Sequence, residues 1–500
     1  MIFRGVKNIH TREEKDYFIE LISLYIRFVE LYAERHALTP LCEDIDKTIS
    51  EFINIGVINS IEEIQDLKDL LGVKYAPFVN AVKTVISNGP ELAEIVSKLN
   101  NSCRHKLQEE AKRSNLPTIA DFFCGAGGLS LGFIQNGFKI VLANDIEDVC
   151  IRTYEYNHPQ VSTDKIIKGD IKQIVDNVKE YIDDDVDIVI GGPPCQGFSE
   201  ANRQRVIDDP RNQLYKYYIQ AVTNICPKFV VMENVKGMLK VADQVVEDYR
   251  AIRAHKDGMI YTYDVAYRLF NSVNFSVAQN RERLIYIAVR NDVAAEKRIT
   301  PESLLSEIEN SCKGNKVYTL NDALASIKPL EAPRIKGITE EDSNITGKKI
   351  DYFDYNQSEY MKLVNMGTPT PFVFNHKARY VSDVNYEIYK RLEQGQDSTV
   401  DSIKEIMPYA HRNHCFKDKY YKLIGDRPSR TITAHLKMDC HSHIHPNQIR
   451  SLTPREAARV QSFPDNYLFL GAYLKTYMQV GNAVPPMMAR GIAKILKKYI

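Results

Sequence analysis

A short apolar run leads directly into a loop of unusual composition, Gly191-Gly192-Pro193-Pro194-Cys195-Gln196-Gly197-Phe198-Ser199, and this junction constrains the fold strongly. The run, Val186–Ile190, predicts a buried strand, which the glycines and prolines end in a sharp loop. Open α/β sheets bind their ligands at the carboxyl ends of their strands, where Cys195 would lie. A buried cysteine beside a turn is the ordinary explanation of a lone Pro-Cys pair. Three other segments favour a chemical role instead.

The stretch from residue 118 to residue 136 has the pattern of the first unit of a nucleotide-binding α/β sheet. A predicted strand, Thr118–Phe123, is followed by the glycine-rich turn Cys124–Gly128 and by a predicted helix, Leu129–Asn136. Glycines let the backbone approach a ligand closely at a helix N-terminus. The pattern differs from the dinucleotide fingerprint and lacks the lysine of a P-loop.

Two further predicted strands end in acidic residues. Lys139–Ala143 runs into Asn144-Asp145, and Lys165–Lys168 runs into Gly169-Asp170-Ile171. A carboxylate such as that of Asp145 can accept hydrogen bonds from both hydroxyls of a ribose. Each feature alone is common, but in this order they fit a cofactor that contains adenosine.

A third acidic strand end suggests acid–base chemistry. After the stretch Asp208–Tyr215 and a helix ending near Ile225, the predicted strand Phe229–Met232 runs into Glu233-Asn234-Val235. The Glu233 carboxylate would face the same cleft as Cys195. Two more strands, Val265–Leu269 and Arg283–Val289, flank the turn Gln279-Asn280-Arg281-Glu282-Arg283, which aims two guanidinium groups. The alternative interpretation of that turn is an ordinary cluster of charged side chains exposed to solvent.

The bulk composition indicates a globular protein of several domains. The 500 residues suggest two to four domains, and 65 basic residues balance 65 acidic ones. A nucleic-acid reader would therefore need a local basic patch. The nine cysteines form no paired framework, and no apolar run approaches the roughly 18 residues of a membrane span. We expect a cytoplasmic protein with reduced thiols, no signal peptide and no membrane partner.

The first 115 residues differ from the rest. Apolar residues at helical spacing over Tyr17–Ile26, and further stretches at about 44–55, 61–71, 77–88 and 90–112, predict a helical domain. A DNA-binding or dimerising accessory domain and a packing domain of unknown role are both open. The stretch Ser114–Pro117 predicts a linker.

Taken together, the motifs of residues 118–500 resemble those of the C5-cytosine DNA methyltransferases, in that family's order. Two positions depart from the usual pattern: Asp145 stands where the family usually has Glu, and Ala278 where it usually has Pro. The matching segments are Asp121–Gly128 (first cofactor motif), Asp145 (ribose acid), Asp170 (adenine acid), Pro194-Cys195-Gln196 (nucleophile), Glu233-Asn234-Val235 (catalytic glutamate), Gln279-x-Arg281-x-Arg283, Leu452–Gln461 (recognition-domain brace) and Gln479–Pro485 (return to the cofactor).

The resemblance implies a role for each catalytic residue. Cys195, as thiolate, would add to C6 of cytosine, so that C5 can take the methyl group of S-adenosyl-L-methionine. A free thiol has a pKa of about 8.5, so the site should favour the thiolate. Glu233 would bind N3 and the exocyclic amine, and Arg283 would bind O2. Arg281 and Asn234 would support the loops. The target base would have to flip out of the duplex.

The resemblance also implies a cofactor site and no metal. Phe123 would stack on the adenine of S-adenosyl-L-methionine. The expected cofactor-binding residues are Asp121, Phe123, Gly125, Gly127, Gly128, Leu129, Asp145, Ile146, Asp170, Ile171, Pro193, Leu214, Asn482 and Ala483.

Residues 291 to about 440 are the variable part. Asn375–Tyr380 and Pro428–His435 resemble target-recognition segments, whose Asn, Arg, Gln and Thr side chains could contact base edges in the major groove, or could be ordinary surface residues. Asp439–His445 alternates three histidines along a predicted short strand, with His414 and Cys415 available nearby. Without a Cys-x-x-Cys pair, we do not predict zinc there.

We therefore predict a doubly wound, Rossmann-like α/β methyltransferase domain, a smaller target-recognition domain and an N-terminal helical extension. The expected boundaries are 1–115, 116–290, 291–450 and 451–500, with a final helix at about 485–498 packed on the catalytic sheet. The function hypothesis is a site-specific DNA cytosine-5 methyltransferase acting on double-stranded DNA, solitary or paired with a cognate restriction endonuclease. The alternatives are an RNA cytosine-5 methyltransferase, which Gln196–Ser199 and the long variable region argue against, and a non-enzymatic DNA-binding regulator.

Overall fold

The computed structural model describes residues 2–183, 185–194, 213–352, 356–368, 371–408 and 419–500. It divides into two compact units. Unit 1 contains Met1–Asn115, Glu155–Asp164 and Ile350–Tyr352, and unit 2 contains the remainder. No described helix is both long and apolar enough to cross a bilayer.

Unit 1 is built from helices whose ends are set by capping residues. Thr11 and Glu14 form a capping box at the start of the first helix, and Asp44 caps the second. The predicted helical stretch 90–112 is two helices, because the Asn100 side chain accepts hydrogen bonds from the backbone N–H groups of Ser102 and Cys103 and starts a new helix. The six helices are α1 (Arg12–His36), α2 (Ile45–Ile55), α3 (Ile64–Leu71), α4 (Tyr75–Asn88), α5 (Pro90–Ile95) and α6 (Asn101–Arg113).

The centre of unit 2 is a seven-stranded sheet. Its strand order is β3-β2-β1-β4-β5-β9-β8, with the first five strands parallel and the last two antiparallel to their neighbours. The nine strands in this part of the chain are β1 (Thr118–Phe122), β2 (Lys139–Asp145), β3 (Ile166–Lys168), β4 (Ile188–Gly191), β5 (Phe229–Val235), β6 (Ala254–Lys256), β7 (Met259–Tyr261), β8 (Tyr263–Asn271) and β9 (Glu282–Arg290), of which β6 and β7 form a separate hairpin.

The parallel strands are buried because helices cover them. Every residue of β1 and β4 is buried, as expected for strands of a doubly wound sheet. The predicted fold class is thereby confirmed. The helices in this part are α7 (Gly128–Ile134), α8 (Asp148–Asn157), α9 (Ile171–Ile174), α10 (Gln213–Ile225) and α11 (Ala242–Arg250).

The antiparallel pairing of β5 with β9 brings two predicted site residues together. Val235, at the end of β5, lies opposite Arg283, at the start of β9. Glu233 is two residues earlier on β5, so its side chain is a diagonal neighbour of Arg283 on the same face of the sheet.

The part of the chain that follows β9 consists of short elements, and Ile350–Tyr352 at the end of one of them belongs to unit 1. The final helix, α19 (Pro486–Leu496), packs on α7 so closely that a Cβ on Gly132 would lie 2.4 Å from Ala489 Cβ. The prediction of a separate target-recognition domain at 291–450 stays a prediction. These elements are α12 (Asn291–Lys297), α13 (Pro301–Ser311), α14 (Leu320–Leu324), β10 (Gly347–Tyr352), α15 (Glu359–Val364), β11 (Phe372–Lys377), α16 (Asp383–Arg391), α17 (Pro454–Val460), α18 (Tyr473–Asn482) and α19 (Pro486–Leu496).

Candidate active site

The first part of the Gly-Gly-Pro-Pro loop is fixed against the end of β5. Asn234 Nδ2 donates to the carbonyl oxygen of Pro193 at 3.0 Å, and Asn234 Oδ1 accepts from the backbone N–H of Val235 at 2.9 Å. A Cβ on Gly192 would lie only 3.0 Å from Glu233 Oε2. The loop backbone therefore passes directly beside the Glu233 carboxylate.

Glu233 and Arg283 form a largely buried ion pair. Arg283 Nε lies 2.6 Å from Glu233 Oε1, and the two side chains are 14% and 12% exposed. The Nε–H is not directed at that oxygen, and Arg283 Nη1 donates to the Glu282 carbonyl at 2.8 Å. Both groups keep hydrogen-bonding capacity, so together they can present a carboxyl group and guanidinium donors to one planar ligand.

The two arginines of the turn point in different directions. Arg281 is 1% exposed, and its Nη1 donates to the Ile432 carbonyl at 2.7 Å. Its Nη2 donates to the carbonyls of Gly481 and Ala483 at 3.1 and 3.0 Å. Burial holds the pKa of Arg281 well below its usual range, with the nearby Arg283 charge adding to this effect. Arg281 therefore braces two backbone segments, around Ile432 and at 481–483, from inside.

A pair of buried amides extends this brace. Gln279 Oε1 accepts from the Ile432 N–H at 2.7 Å, and Gln279 Nε2 donates to Gln461 Oε1 at 2.7 Å. Gln461 Nε2 donates in turn to the Val480 carbonyl at 2.8 Å. The Arg283 turn, the segment around Ile432 and the segment around Val480 are thus one hydrogen-bonded assembly.

The glycine-rich turn after β1 has an uncommon backbone. Phe123, Gly125 and Gly127 have φ values of 58°, 53° and 85°. Such a conformation costs a non-glycine residue free energy and is concentrated at functional sites. A Cβ on Gly125 would meet no described atom within 4 Å, so this side of the turn is open. Tyr467, which sequence reasoning missed, donates its hydroxyl to the Ala126 carbonyl, a contact that no local pattern signals.

The acid at the end of β2 is held by backbone donors. Asp145 Oδ2 accepts from the Gly125 N–H at 2.9 Å, and Oδ1 accepts from the Glu147 N–H at 2.8 Å. Burial raises the pKa of Asp145, although these hydrogen bonds oppose the shift. Each oxygen keeps one further acceptor position. Beside it, the Ile146 side chain is 64% exposed, so an apolar surface adjoins the carboxylate.

The acid after β3 begins a short helix. Asp170 Oδ1 accepts from the Lys172 N–H at 3.1 Å as the cap of α9. The Ile171 side chain is 2% exposed and packs in the core, so Ile171 can offer a ligand only its backbone N–H, which has no intrahelical acceptor at this first position.

Asp121 is a buried acid behind the glycine-rich turn. It is 1% exposed, and its Oδ2 accepts from Ser130 Oγ at 2.5 Å, while its Oδ1 has no partner among the described atoms. Burial raises the pKa of Asp121 to about 8, and the Asp145 charge adds to the shift.

The remaining predicted cofactor residues lie around the start of α7 and near α18. Gly128 begins α7, and a Cβ there would lie 3.2 Å from Ala483 Cβ, so the last motif packs directly on this helix end. Asn482 is exposed, Leu129 is buried in α7, and Leu214 is half-buried against the core of the sheet. Pro193 offers its carbonyl oxygen to Asn234 Nδ2.

Two expectations for the variable part are wrong. The histidine run is not a strand: His441–His443 forms a 3₁₀ turn, and the three rings contact different partners, Tyr389, Ser442 and Gln448. Burial lowers the pKa of His443 to about 3. Across the described ranges, no three His, Cys, Asp or Glu side chains are arranged to hold a metal ion.

Asn375, expected either to contact a base edge or to be an ordinary surface residue, is only 5% exposed, and the next two residues, His376 and Lys377, are 5% and 4% exposed. Asn375 pairs with the backbone of Phe469, His376 with Thr453 and the Lys328 carbonyl, and Lys377 with Asp342. The polar groups of these three side chains are used by partners within the protein.

Several predicted features lie outside the described residues. They are Cys195 with Gln196–Ser199, the first part of the stretch Asp208–Tyr215 up to Asn212, and His414 and Cys415.

Comparisons with known proteins identify the relatives of this chain. The family described as "C-5 cytosine-specific DNA methylase" matches residues 118–498. Type II methyltransferase M.AgeI of Thalassovita gelatinovora is 32% identical, over 76% of this chain and 99% of that protein. Type II methyltransferase M.DdeI of Desulfomicrobium norvegicum is 31% identical, over 76% and 88%. A crystal structure of an Escherichia coli prophage protein, described as a DNA modification methyltransferase, shares the fold with a TM-score of 0.55 at 23% identity, over 76% and 99%.

Proposed function

Because the chain belongs to the C-5 cytosine-specific DNA methylase family, we propose that it transfers the methyl group of S-adenosyl-L-methionine to C5 of cytosines at one specific site in duplex DNA. The observation that carries this proposal is the Glu233–Arg283 pair, 2.6 Å apart, beside the backbone that leads to Cys195. A carboxyl group and a guanidinium side by side match the N3–C4 amine edge and the O2 of cytosine.

The residues around the glycine-rich turn fit S-adenosyl-L-methionine. The orphaned Asp121 Oδ1 and the open side of Gly125 leave both an unpartnered polar atom and space at this turn. The free acceptor positions of Asp145 suit two ribose hydroxyls, and the exposed Ile146 suits one face of an adenine. When bound, the cofactor supplies a methyl group on a positively charged sulfonium.

The other residues expected to hold the cofactor follow from the resemblance. Phe123 would contact the adenine, Asp170 and the Ile171 N–H its polar edge, and the remaining residues the methionine part and the walls of the site. These remaining residues are Gly127, Gly128, Leu129, Pro193, Leu214, Asn482 and Ala483.

The chain's residues divide the reaction into an addition and an elimination. The Cys195 thiolate forms a bond from Sγ to C6, while Glu233 holds a proton at N3 and Arg283 binds O2, so that the electron pair moves to C5. After C5 carries the methyl group, a base removes the C5 proton, the C5–C6 double bond re-forms and the thiolate leaves. Asn234 keeps the loop in place through Pro193. Since C6 is covered by stacking in a duplex, the cytosine must rotate out of the helix first.

The decisive experiment is bisulfite sequencing of unmethylated plasmid DNA incubated with the purified protein and S-adenosyl-L-methionine. Protected cytosines within one short sequence are expected with the wild type and not with Cys195→Ala. No protected cytosine, with cofactor binding confirmed by calorimetry, would contradict the proposal. A parallel reaction with tRNA as methyl acceptor separates the DNA enzyme from an RNA enzyme.

The covalent step has its own test. A duplex that carries 5-fluorocytosine at the mapped target cannot lose its C5 substituent as a proton, so the enzyme should remain attached. We expect a denaturation-resistant protein–DNA complex with the wild type and none with Cys195→Ala. A methylating wild type that leaves no such complex would refute the Cys195–C6 bond.

The type II methyltransferases among the relatives suggest a partner in function. We propose that methylation by this protein protects its site from a restriction endonuclease of the same specificity. Plasmid methylated by the wild type should resist an endonuclease that cuts the mapped sequence, and plasmid treated with Cys195→Ala should be cut. Cleavage of fully methylated sites would refute protection.

A further inference from the structure

The connection from β2 to β3 carries proposed cofactor residues at both of its ends. Asp145 and Ile146 stand at its beginning, and Asp170 and Ile171 follow its end. Its middle, Glu155–Asp164, belongs to unit 1 and not to the unit that contains the sheet. The family match starts at residue 118, so the helices that contact this middle part lie outside the family's common region.

Arg104 of α6 is the centre of these contacts. It is 1% exposed, its Nη2 donates to the Glu155 carbonyl at 2.9 Å, and its Nη1 donates to the Lys98 carbonyl at 3.1 Å. A guanidinium this deeply buried is costly unless its donors are used, so it fixes both carbonyls firmly.

Three further contacts attach the same segment. Tyr17 of α1 donates its hydroxyl to Glu155 Oε2 at 3.2 Å. Gln108 Nε2 donates to the carbonyls of Pro159 and Val161, both at 3.3 Å. The Lys98 ammonium lies 5.4 Å from the centre of the Tyr156 ring. Glu155, Tyr156, His158 and Val161 are at most 6% exposed as a result.

Glu155 and Tyr156 are also in the last turn of α8, which begins at Asp148, directly after Asp145, Ile146 and Glu147. A hydrogen-bonded helix transmits a constraint on its last turn to its first. The segment after Asp164 is equally short, reaching Asp170 in six residues.

We propose that the N-terminal helices are a clamp on the β2–β3 connection, with Arg104 as a positioning residue for the adenosine half of the cofactor site. This inference rests on the proposed use of S-adenosyl-L-methionine. The N-terminal extension is then neither a DNA-reading module nor a separable accessory domain. Its helices fix the helix and loop whose ends hold the ribose acid and the adenine acid.

The first test measures binding of S-adenosyl-L-homocysteine by calorimetry. Arg104→Met removes two hydrogen bonds, and we expect the Kd to rise about three- to tenfold. The matched control, Arg113→Met, changes an exposed arginine of the same helix and should leave the Kd unchanged. In turnover assays the KM for the cofactor should rise while kcat is kept, and affinity for duplex DNA without cofactor should not change.

Tyr17→Phe is the second variant, because Arg104→Met removes a buried charge and could unfold unit 1. It deletes only one hydroxyl, and a Kd increase of about two- to threefold is expected. Folded Arg104→Met or Tyr17→Phe protein with wild-type affinity for S-adenosyl-L-homocysteine would overturn the proposal. So would an equal loss of affinity for duplex DNA, which would indicate general loosening.

A second experiment does not depend on the cofactor. A specific protease site inserted at Ser114–Leu116 allows the full chain to be cut after folding. The clamp predicts that the two fragments stay together during native gel filtration and separate more readily when Arg104→Met is present. Release of the helical fragment from the wild type would refute the clamp, whereas an intact clamp with no cofactor binding in any variant would refute the proposed cofactor instead.

Discussion

Replacing Arg281 by Met is the most informative change to the brace that joins the Arg283 turn to the last motif. The substitution removes the donors of the Ile432, Gly481 and Ala483 carbonyls. Ala483 O still accepts from Gln461 Nε2 at 3.4 Å, so two buried carbonyls lose this donor outright. Each orphaned buried acceptor costs about 1–3 kcal/mol.

Part of this cost is offset, because the substitution also removes a fully buried guanidinium that has no ion pair within the described part of the chain. The expected loss of unfolding free energy is therefore about 2–4 kcal/mol. Arg281→Lys should recover only part of it, since a single ammonium cannot span carbonyls from two segments as a planar guanidinium does. Affinity for S-adenosyl-L-homocysteine should fall as well, because residues 481–483 are among the braced segments.

Urea denaturation followed by circular dichroism measures the effect, with Arg298→Met as the control because Arg298 is exposed. The control should stay within about 0.5 kcal/mol of the wild type. An Arg281→Met protein that unfolds at the wild-type urea concentration and with the wild-type slope would refute the reasoning, since it would mean that the three carbonyls do not need their buried donor.

Three further predictions concern other charged groups. Glu233→Gln should lower the single-turnover methylation rate by about 10²- to 10⁴-fold with unchanged cofactor affinity, and a rate within threefold of the wild type would exclude proton transfer by Glu233. Because the folded-state pKa of Asp121 is raised to about 8, between pH 4 and pH 8 the folded protein keeps a proton that the unfolded chain, with its ordinary pKa of about 3.9, has lost. The free energy of unfolding contributed by Asp121 should therefore fall as pH rises from 4 to 8. Asp121→Asn should flatten the decline of Tm over that range, and parallel Tm profiles of variant and wild type would contradict the pKa shift. Arg450 and Glu456 form a bidentate ion pair with both side chains fully buried, so Arg450→Met should lower the free energy of unfolding by about 3–5 kcal/mol. The double change Arg450→Met with Glu456→Met should lower it by less than either single change, which a double-mutant cycle in urea will show.

The sequence predicted the sheet and its acidic strand ends well because each depends on local pattern. The expected strand Arg283–Val289 is observed as Glu282–Arg290, and the expected final helix at about 485–498 as Pro486–Leu496. Apolar runs bounded by Gly, Pro or a charged residue are sufficient to locate such elements.

The failures have one physical origin, which is that a polar residue looks the same in sequence whether its partner is water or a distant backbone group. The sequence left Asn375 open as a base-contacting or an ordinary surface residue and predicted a short strand for the histidines after Asp439. The Asn375 side chain instead donates to the backbone of Phe469, 94 positions away, and His441–His443 forms a 3₁₀ turn. Arg281 and Gln279 were recognised by motif, but their partners at Ile432 and Gln461 could not be found from spacing. The assignment of Glu155–Asp164 to unit 1 likewise depends on contacts with α6 that no local pattern encodes.

The antiparallel pairing of β5 with β9 leaves the β6–β7 hairpin, which lies between them in the sequence, out of the geometry of the site. Glu233 and Arg283 meet through ladder hydrogen bonds of adjacent strands, and the bracing residues of the intervening stretch are Gln279 and Arg281, so the hairpin Ala254–Tyr261 can change length without moving either group. The tip of the β6–β7 hairpin, Asp257-Gly258, is exposed and turns with φ values of 52° and 75°. A fluorescent peptide or a tether to another protein could be grafted at this tip, where the enzyme offers a natural attachment point for directing methylation to a chosen locus.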